Sequence, residues 1–336
     1  MMLMTQKYHS ANDIDSEFIP SLEKLLCECI PSFDWIKNFE KEAPENTHFT
    51  YYLFFGSQHN APVGFAQVAL ESQERQKRKL LTYILPFNLK SKGSIKKRSK
   101  KASWAMPGSL KEGVIFEPMY TKDAVIFTKK LFSEYQNRED IYTQSSCFSR
   151  AFSDVKDFSS KIHVSTCEKL IPSTLIKNQP NYEKYLASLD KDLEKSIKLA
   201  WRDFYKKEMK LGEYQSLKDI FSYKKESIEI YKKLKNEPIL KKYKEQECRF
   251  LTLEKGDDVI AIIFFIKGFG HHYFFESLNL NGEASSLIIT QLAIMKFYEV
   301  QDSDRLHLLG ESRQSMQYEI QGFTTRSQIY LSSSQS

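Results

Sequence analysis

The chain has 336 residues, of which 41% are apolar and 13% aromatic. That is longer than one core usually grows and too apolar for global disorder, so two domains of about 150 to 180 residues are expected. The net charge is +6, yet twelve basic residues and no Asp or Glu lie between Arg75 and Lys111, which leaves the rest of the chain at −6. The basicity is therefore a local patch, suited to a specific anionic partner rather than to general stickiness.

In chain order, residues 15–30 place Phe18, Leu22, Leu25, Leu26 and Cys29 at helical spacing, with Asp15 and Ser16 as caps. Residues 32–43 read as a second short helix with Trp35, Ile36 and Phe39 on one face. A strand over 48–57 and a partner over 62–71 form a hairpin, and 79–89 read as extended. Lysine- and serine-rich residues 90–101 make a loop. The strand GVIFEPMY, a helix over 123–135 and a strand over 141–149 close the first half.

The second half opens with amphipathic helices over 182–209 and 216–235. A hairpin over 248–268 turns at Gly256, Asp257 and Asp258. The strand HHYFFESLN, a helix over 283–301, a strand over 305–311, a short helix and the strand SQIYLS follow. Each half thus reads helix, helix, hairpin, strand ending in Phe-Glu, helix, strand, with Glu117 and Glu276 in matching places. The pattern predicts a duplicated α+β fold, with mostly antiparallel sheets flanked by helices and domains over 1–160 and 161–336.

Several function classes are excluded. No G-x-G-x-x-G joins a strand to a helix and no G-x-x-x-x-G-K-[ST] is present, so dinucleotide and P-loop readings lack a phosphate cradle. The five cysteines are scattered and odd in number, which argues for reduced thiols and against a disulfide framework or a metal site. No apolar run approaches the roughly 20 residues of a membrane span, and the start of the chain turns polar too soon for a signal peptide. The expected location is the cytoplasm.

Three stretches carry a family resemblance. SFDWIKNFEK is similar to the S-x-x-W entry, YLASLDKDLEKSIKLAWRDF to the helix opening the second half, and LHLLGESRQSMQYEIQGFTTRSQIYL to the C-terminal close, of the Fem-type aminoacyltransferases. The chain thus resembles a tandem GNAT (double GNAT-fold) acyltransferase of that branch. LLGES stands where the branch has DFGG, and neither half has the Q/R-x-x-G-x-G/A loop that holds a CoA pyrophosphate. The resemblance implies transfer of an acyl or aminoacyl group to an amine acceptor. The donor is left open among acyl-CoA, an acyl-carrier protein and an aminoacyl-tRNA, with no tightly bound cofactor.

That chemistry needs a group to take the proton of an arriving ammonium. Glu276 and Glu117 would lie on the fourth strand of each half, where this superfamily often keeps a carboxylate. Tyr273, Phe274 and Phe275 beside Glu276 would raise its proton affinity, as general-base work requires. The competing reading is a solvated strand-end glutamate. His307 reaches Glu276 if their strands are neighbours, though a satisfied core histidine is the commoner case. Tyr318 or Tyr330 would protonate a leaving thiolate, as a tyrosine often does in GNATs. The second half is the expected active one.

Donor binding is assigned to Lys96, Lys97, Arg98, Lys100 and Lys101, with Trp104 as a stacking platform, against a merely solvated lysine loop. Two other functions compete with acyl transfer. One is a catalytically silent tandem-GNAT module that binds a carrier protein or RNA. The other is a nucleic-acid-binding protein driven by the basic patch.

Overall fold

The computed structural model describes residues 3–43, 47–57, 60–71, 79–81, 113–135, 141–145, 151–161, 165–222, 248–280, 284–308 and 321–333. It divides into two compact units, Met1–Ile171 with Arg326–Ser336, and Pro172–Thr325. The chain passes from one unit to the other inside two strands, β7 (Ser165–Ile176) and β13 (Thr324–Ser333).

The first unit is built on β1 (Met4–Tyr8), β2 (Thr47–Phe55), β3 (Pro62–Glu71), β4 (Lys79–Leu81) and β5 (Val114–Phe116). β1 pairs antiparallel with β2, which forms a hairpin with β3. The two ends of β3 receive different partners, β4 opposite Ala69–Glu71 and β5 opposite Gly64–Ala66. β2 is apolar on both faces rather than alternating, because each face carries its own cover. Phe49, Tyr51 and Phe65 line one side beside Phe39 of α2 (Phe33–Glu42), which follows α1 (Ile19–Leu26). Tyr52 and Phe54 line the other against Phe127 of α3 (Thr121–Tyr135). β6 (Ile141–Ser145) pairs antiparallel with β13, and α4 (Phe152–Lys161) follows it.

In the second unit the strand order is β8 (Met209–Tyr214), β9 (Cys248–Lys255), β10 (Asp258–Lys267), β11 (His272–Asn279), β12 (Arg305–Leu308) and β7. Every pair is antiparallel except β11 with β12. The parallel pair needs a crossover, and α8 (Ser286–Glu299) supplies it. On one face α5 (Tyr182–Ser188), α6 (Lys191–Lys206) and α8 bury a core that includes Phe204, Leu253, Phe265, Phe275, Leu292 and Phe297. α8 is buried nearly all round, which fits its mostly apolar sequence.

The expected α+β class holds, with sheets flanked by helices. The single helix expected over 182–209 is two. Leu189 and Asp190 are extended, and the Asp190 carboxylate accepts from Asp192 N at 2.9 Å to start α6 afresh. The pattern also missed β1, β7, β8 and α4. α7 (Leu217–Ser222) is the described start of the helix expected over 216–235, whose remainder lies outside the described residues. The hairpin–strand–helix order does repeat, β2–β3–β5–α3 against β9–β10–β11–α8. The edge strands break the repeat: β1 precedes its helices and β8 follows them.

Candidate active site

β11 is entered by a tight turn from β10. Gly270 adopts φ +63°, and Gly268 N donates to His272 O at 2.8 Å. A Cβ on Gly268 would meet the Phe274 ring at 2.6 Å, so this close approach requires glycine. The turn starts the alternation of β11 at His272. His272, Phe274, Glu276 and Leu278 therefore share one face, while Tyr273 and Phe275 join the helix-covered core on the other. Of the three aromatics expected around Glu276, only Phe274 lies on its face. The second apolar neighbour is Phe264 of β10, directly opposite Glu276 in register and fully buried.

Glu276 is half-buried. The β11–β12 ladder runs from His272–Arg305 to Phe275–Leu308 in the described residues, and Glu276 is the next residue. Glu117 is placed differently. It follows β5, is exposed, and donates its N–H to Val63 O at 2.9 Å, with Val63 the second residue of β3. Glu276 faces Phe264, the seventh residue of β10. The two glutamates thus lie on corresponding strands at different heights. Glu117 is at a strand exit, and Glu276 has three strand residues after it.

His307 is fully buried on β12, in register with Phe274, whose ring stacks on it with centroids 4.8 Å apart. Register puts it on the face of Glu276, two residues short of it on the neighbouring strand. Both ring nitrogens of His307 are engaged. Nδ1 lies 2.9 Å from Thr174 Oγ1 on β7, and Nε2 lies 2.8 Å from His272 Nδ1. Of the adjacent pair His271 and His272, of which strand alternation lets only one point inward, His272 is the one that meets His307, whereas Thr174 was not singled out from the sequence, because it owes its place to strand pairing between distant segments. Tyr318, Lys96, Lys97, Arg98, Lys100, Lys101 and Trp104 lie outside the described residues, as does the side chain of Tyr330.

Farther along the same face, Glu254 Oε1 accepts from Thr252 Oγ1 at 2.6 Å and from Tyr214 OH at 2.8 Å. Cys248 is buried, and burial pushes its thiol up from the usual range, which makes it a poor nucleophile. No group of three or more His, Cys, Asp or Glu able to hold a metal occurs among the described residues, and none of their helices is long and apolar enough to cross a membrane.

No protein-family model matches the chain, and no curated protein matches its sequence. Solved structures do match. FemX is 8% identical with a TM-score of 0.52, covering 96% of each chain. A tandem GNAT protein from the clavulanic acid biosynthesis pathway is 8% identical with a TM-score of 0.49, covering 99% of this chain and 98% of that one. The structure of L-PGS from Bacillus licheniformis is 7% identical with a TM-score of 0.45, covering 97% of this chain and 93% of that one. At such identities the FemX likeness carries the fold and nothing finer.

Proposed function

We propose, proceeding from the tandem GNAT-like fold that the chain shares with FemX, that it transfers an acyl or aminoacyl group from a thioester or aminoacyl-tRNA donor to an amine acceptor. The observation that carries this reading is Glu276. It is a half-buried carboxylate on the fourth strand of the second unit's antiparallel run, beside the end of the described parallel ladder. In the proposed reaction the acceptor arrives as an ammonium and gives its proton to Glu276. The freed lone pair attacks the acyl carbon, the C–S or C–O bond breaks, and the second proton lost by the nitrogen reaches the leaving thiolate or alkoxide by way of Tyr318, which gives its own proton and takes that one up, the role assigned to it. His307 shares the face of Glu276 and supports the site. Glu117 is the corresponding carboxylate of the first unit, in a more exposed place.

The co-substrate classes are acyl-CoA, acyl-carrier protein and aminoacyl-tRNA. All carry phosphate, for which the tract of Lys96, Lys97, Arg98, Lys100, Lys101 and Trp104 is the proposed contact. Donors of these kinds fit a cytoplasmic location. The test is a panel of the three donor classes against small and peptidyl amines, with wild type and Glu276→Gln side by side. Turnover with at least one donor, lost in Glu276→Gln, is the expected result. Binding of a carrier protein or RNA with no transfer from any donor would overturn the enzyme and leave a binding module.

A further inference from the structure

The crossover helix α8 runs into Glu299-Val300-Gln301-Asp302-Ser303-Asp304, with no glycine or proline to stop it. Its last carbonyls need donors from elsewhere, and Lys177, the residue after β7, supplies them. Lys177 Nζ donates to Phe297 O at 3.2 Å, Val300 O at 2.7 Å and Ser303 Oγ at 3.0 Å, which uses all three hydrogens of the ammonium. The charge also lies 5.2 Å from the ring centroid of Phe297 and 5.4 Å from that of Tyr298. Burial works against the ammonium and lowers its proton affinity. The negative end of the helix dipole and the three acceptors hold the charge in place.

The turn after α8 is also stitched to the strands on either side. Lys177 N donates to Asp304 O at 2.8 Å, and Asp304 N donates to His271 O at 3.1 Å. His271 Nδ1 lies 3.0 Å from Asp302 O, a carbonyl that can only accept, so the ring donates there. Residues 300–304 are thus tied to the end of β7 through Lys177 and to the entrance of β11 through His271. β12 begins at the next residue, Arg305.

β12 has four residues, with Leu306 and Leu308 in the helix-covered core and His307 on the opposite face. Alternation alone forbids a slip of one residue, which would turn His307 into the core. It permits a slip of two, in which Leu308 takes the place of Leu306, and Leu309 the place of His307 beside Phe274. Such a slip draws the turn roughly 6–7 Å along the strand. The bonds from Lys177 oppose it. We propose that Lys177 is a positioning residue for the reaction at Glu276, its ammonium fixing where β12 enters the sheet and hence that His307, rather than Leu309, stands beside Phe274. The proposal rests on the amine-acylation reading and leaves its proton path unchanged. Lys177 carries none of those protons and acts through β12 alone.

The experiment compares wild type, Lys177→Met, Lys177→Arg and Ser303→Ala. Steady-state transfer to an amine is measured at varied concentrations of whichever of the three donor classes gives turnover. Amide hydrogen exchange, and the NMR cross-peak between the Phe274 ring and the His307 imidazole, are followed in the same proteins. Lys177→Met keeps the side chain's length and removes its donors, so kcat should fall about 10- to 100-fold with little change in KM for the donor. Exchange should quicken at residues 300–308 while α6 and the β9–β10 hairpin keep wild-type protection, and the cross-peak should weaken. Lys177→Arg keeps a cation with donors for the same carbonyls and should recover most of the rate and of the cross-peak. Ser303→Ala removes one of the three acceptors and should fall between wild type and Lys177→Met. It carries the test should Lys177→Met fail to fold. A normal kcat in Lys177→Met overturns the proposal, and so does a lowered kcat with the cross-peak intact or with exchange quickened equally across the whole unit. A wild type that acylates no amine, although Lys177→Met loosens 300–308 and weakens the cross-peak, overturns the proposed function instead.

Discussion

Glu276 has a pair of neighbours that a strand-end carboxylate would lack, Phe274 two residues back on its own face and Phe264 across the ladder. Glu276→Gln keeps the shape and removes the base, so kcat/KM should fall by about 10²–10⁴, with the loss shrinking at high pH as more amine arrives deprotonated. Melting temperature should change little, since a half-buried amide opens no cavity. A large fall in melting temperature with an unchanged rate would mark a structural carboxylate. Gly212 presents a purely steric case. A Cβ there would run into Thr252 Oγ1 and lie 2.5 Å from the Tyr214 ring and 2.6 Å from Glu254 Oε1. Thr252 Oγ1 and Tyr214 OH both donate to Glu254 Oε1, so Gly212→Ala must push these groups apart, and about 1–3 kcal/mol of stability should be lost in a denaturant titration. An alanine protein as stable as wild type would show that the cluster shifts freely.

The helix layer of the second unit is tied by a buried polar network. Trp201 Nε1 on α6 donates to Tyr182 OH at 3.2 Å, and Tyr182 OH donates to Gln291 Oε1 on α8 at 2.7 Å. Gln291 Nε2 donates to Gln321 Oε1, and Tyr185 OH to Gln321 O. Burial pushes the Tyr182 phenol up to about 12 from its usual 10, and burial raises Tyr185 and Tyr298 as well. A group whose folded value is raised contributes stability in full below its unfolded value and loses it as pH climbs through the folded one. The unit should therefore hold its melting temperature to about pH 10 and lose stability toward pH 12, by about 2 kcal/mol from Tyr182 alone. In Tyr182→Phe that alkaline slope should be shallower; an identical slope would assign the loss to other groups. The main elements here were legible because α6 and the β9–β10 hairpin carry strong apolar patterns. β8 was not, since an edge strand with half of its residues exposed leaves no such pattern in MKLGEY. The link of Thr174 to His307 spans 133 residues, and only non-local strand register creates it. Glu276, Phe274 and His307 were readable on their strands, whereas Phe264 and Thr174, brought to them by register alone, were not.

Across the whole molecule, charge is unevenly spread, with twelve basic residues in one tract set against −6 elsewhere. Replacing Lys96, Lys97, Arg98, Lys100 and Lys101 together by serine should raise KM or Kd for a phosphate-bearing donor about tenfold, as five contacts of a few tenths of a kcal/mol each would give. Steeper salt dependence in wild type than in the variant is the accompanying sign. Equal binding of every donor class at low salt would reduce the tract to solvated surface. The division of the chain has a mechanical consequence too. Because both Met1–Ile171 and Arg326–Ser336 belong to the first unit, the second is an insert whose two attachment points lie at residues 171/172 and 325/326. A pull applied between β1 and β13 loads the first unit directly, with the β6–β13 ladder in its path. The insert comes under tension only once that unit yields. Stretching single molecules should therefore show the release of the outer unit before the longer inner segment extends, with the histidine pair still folded during the first event.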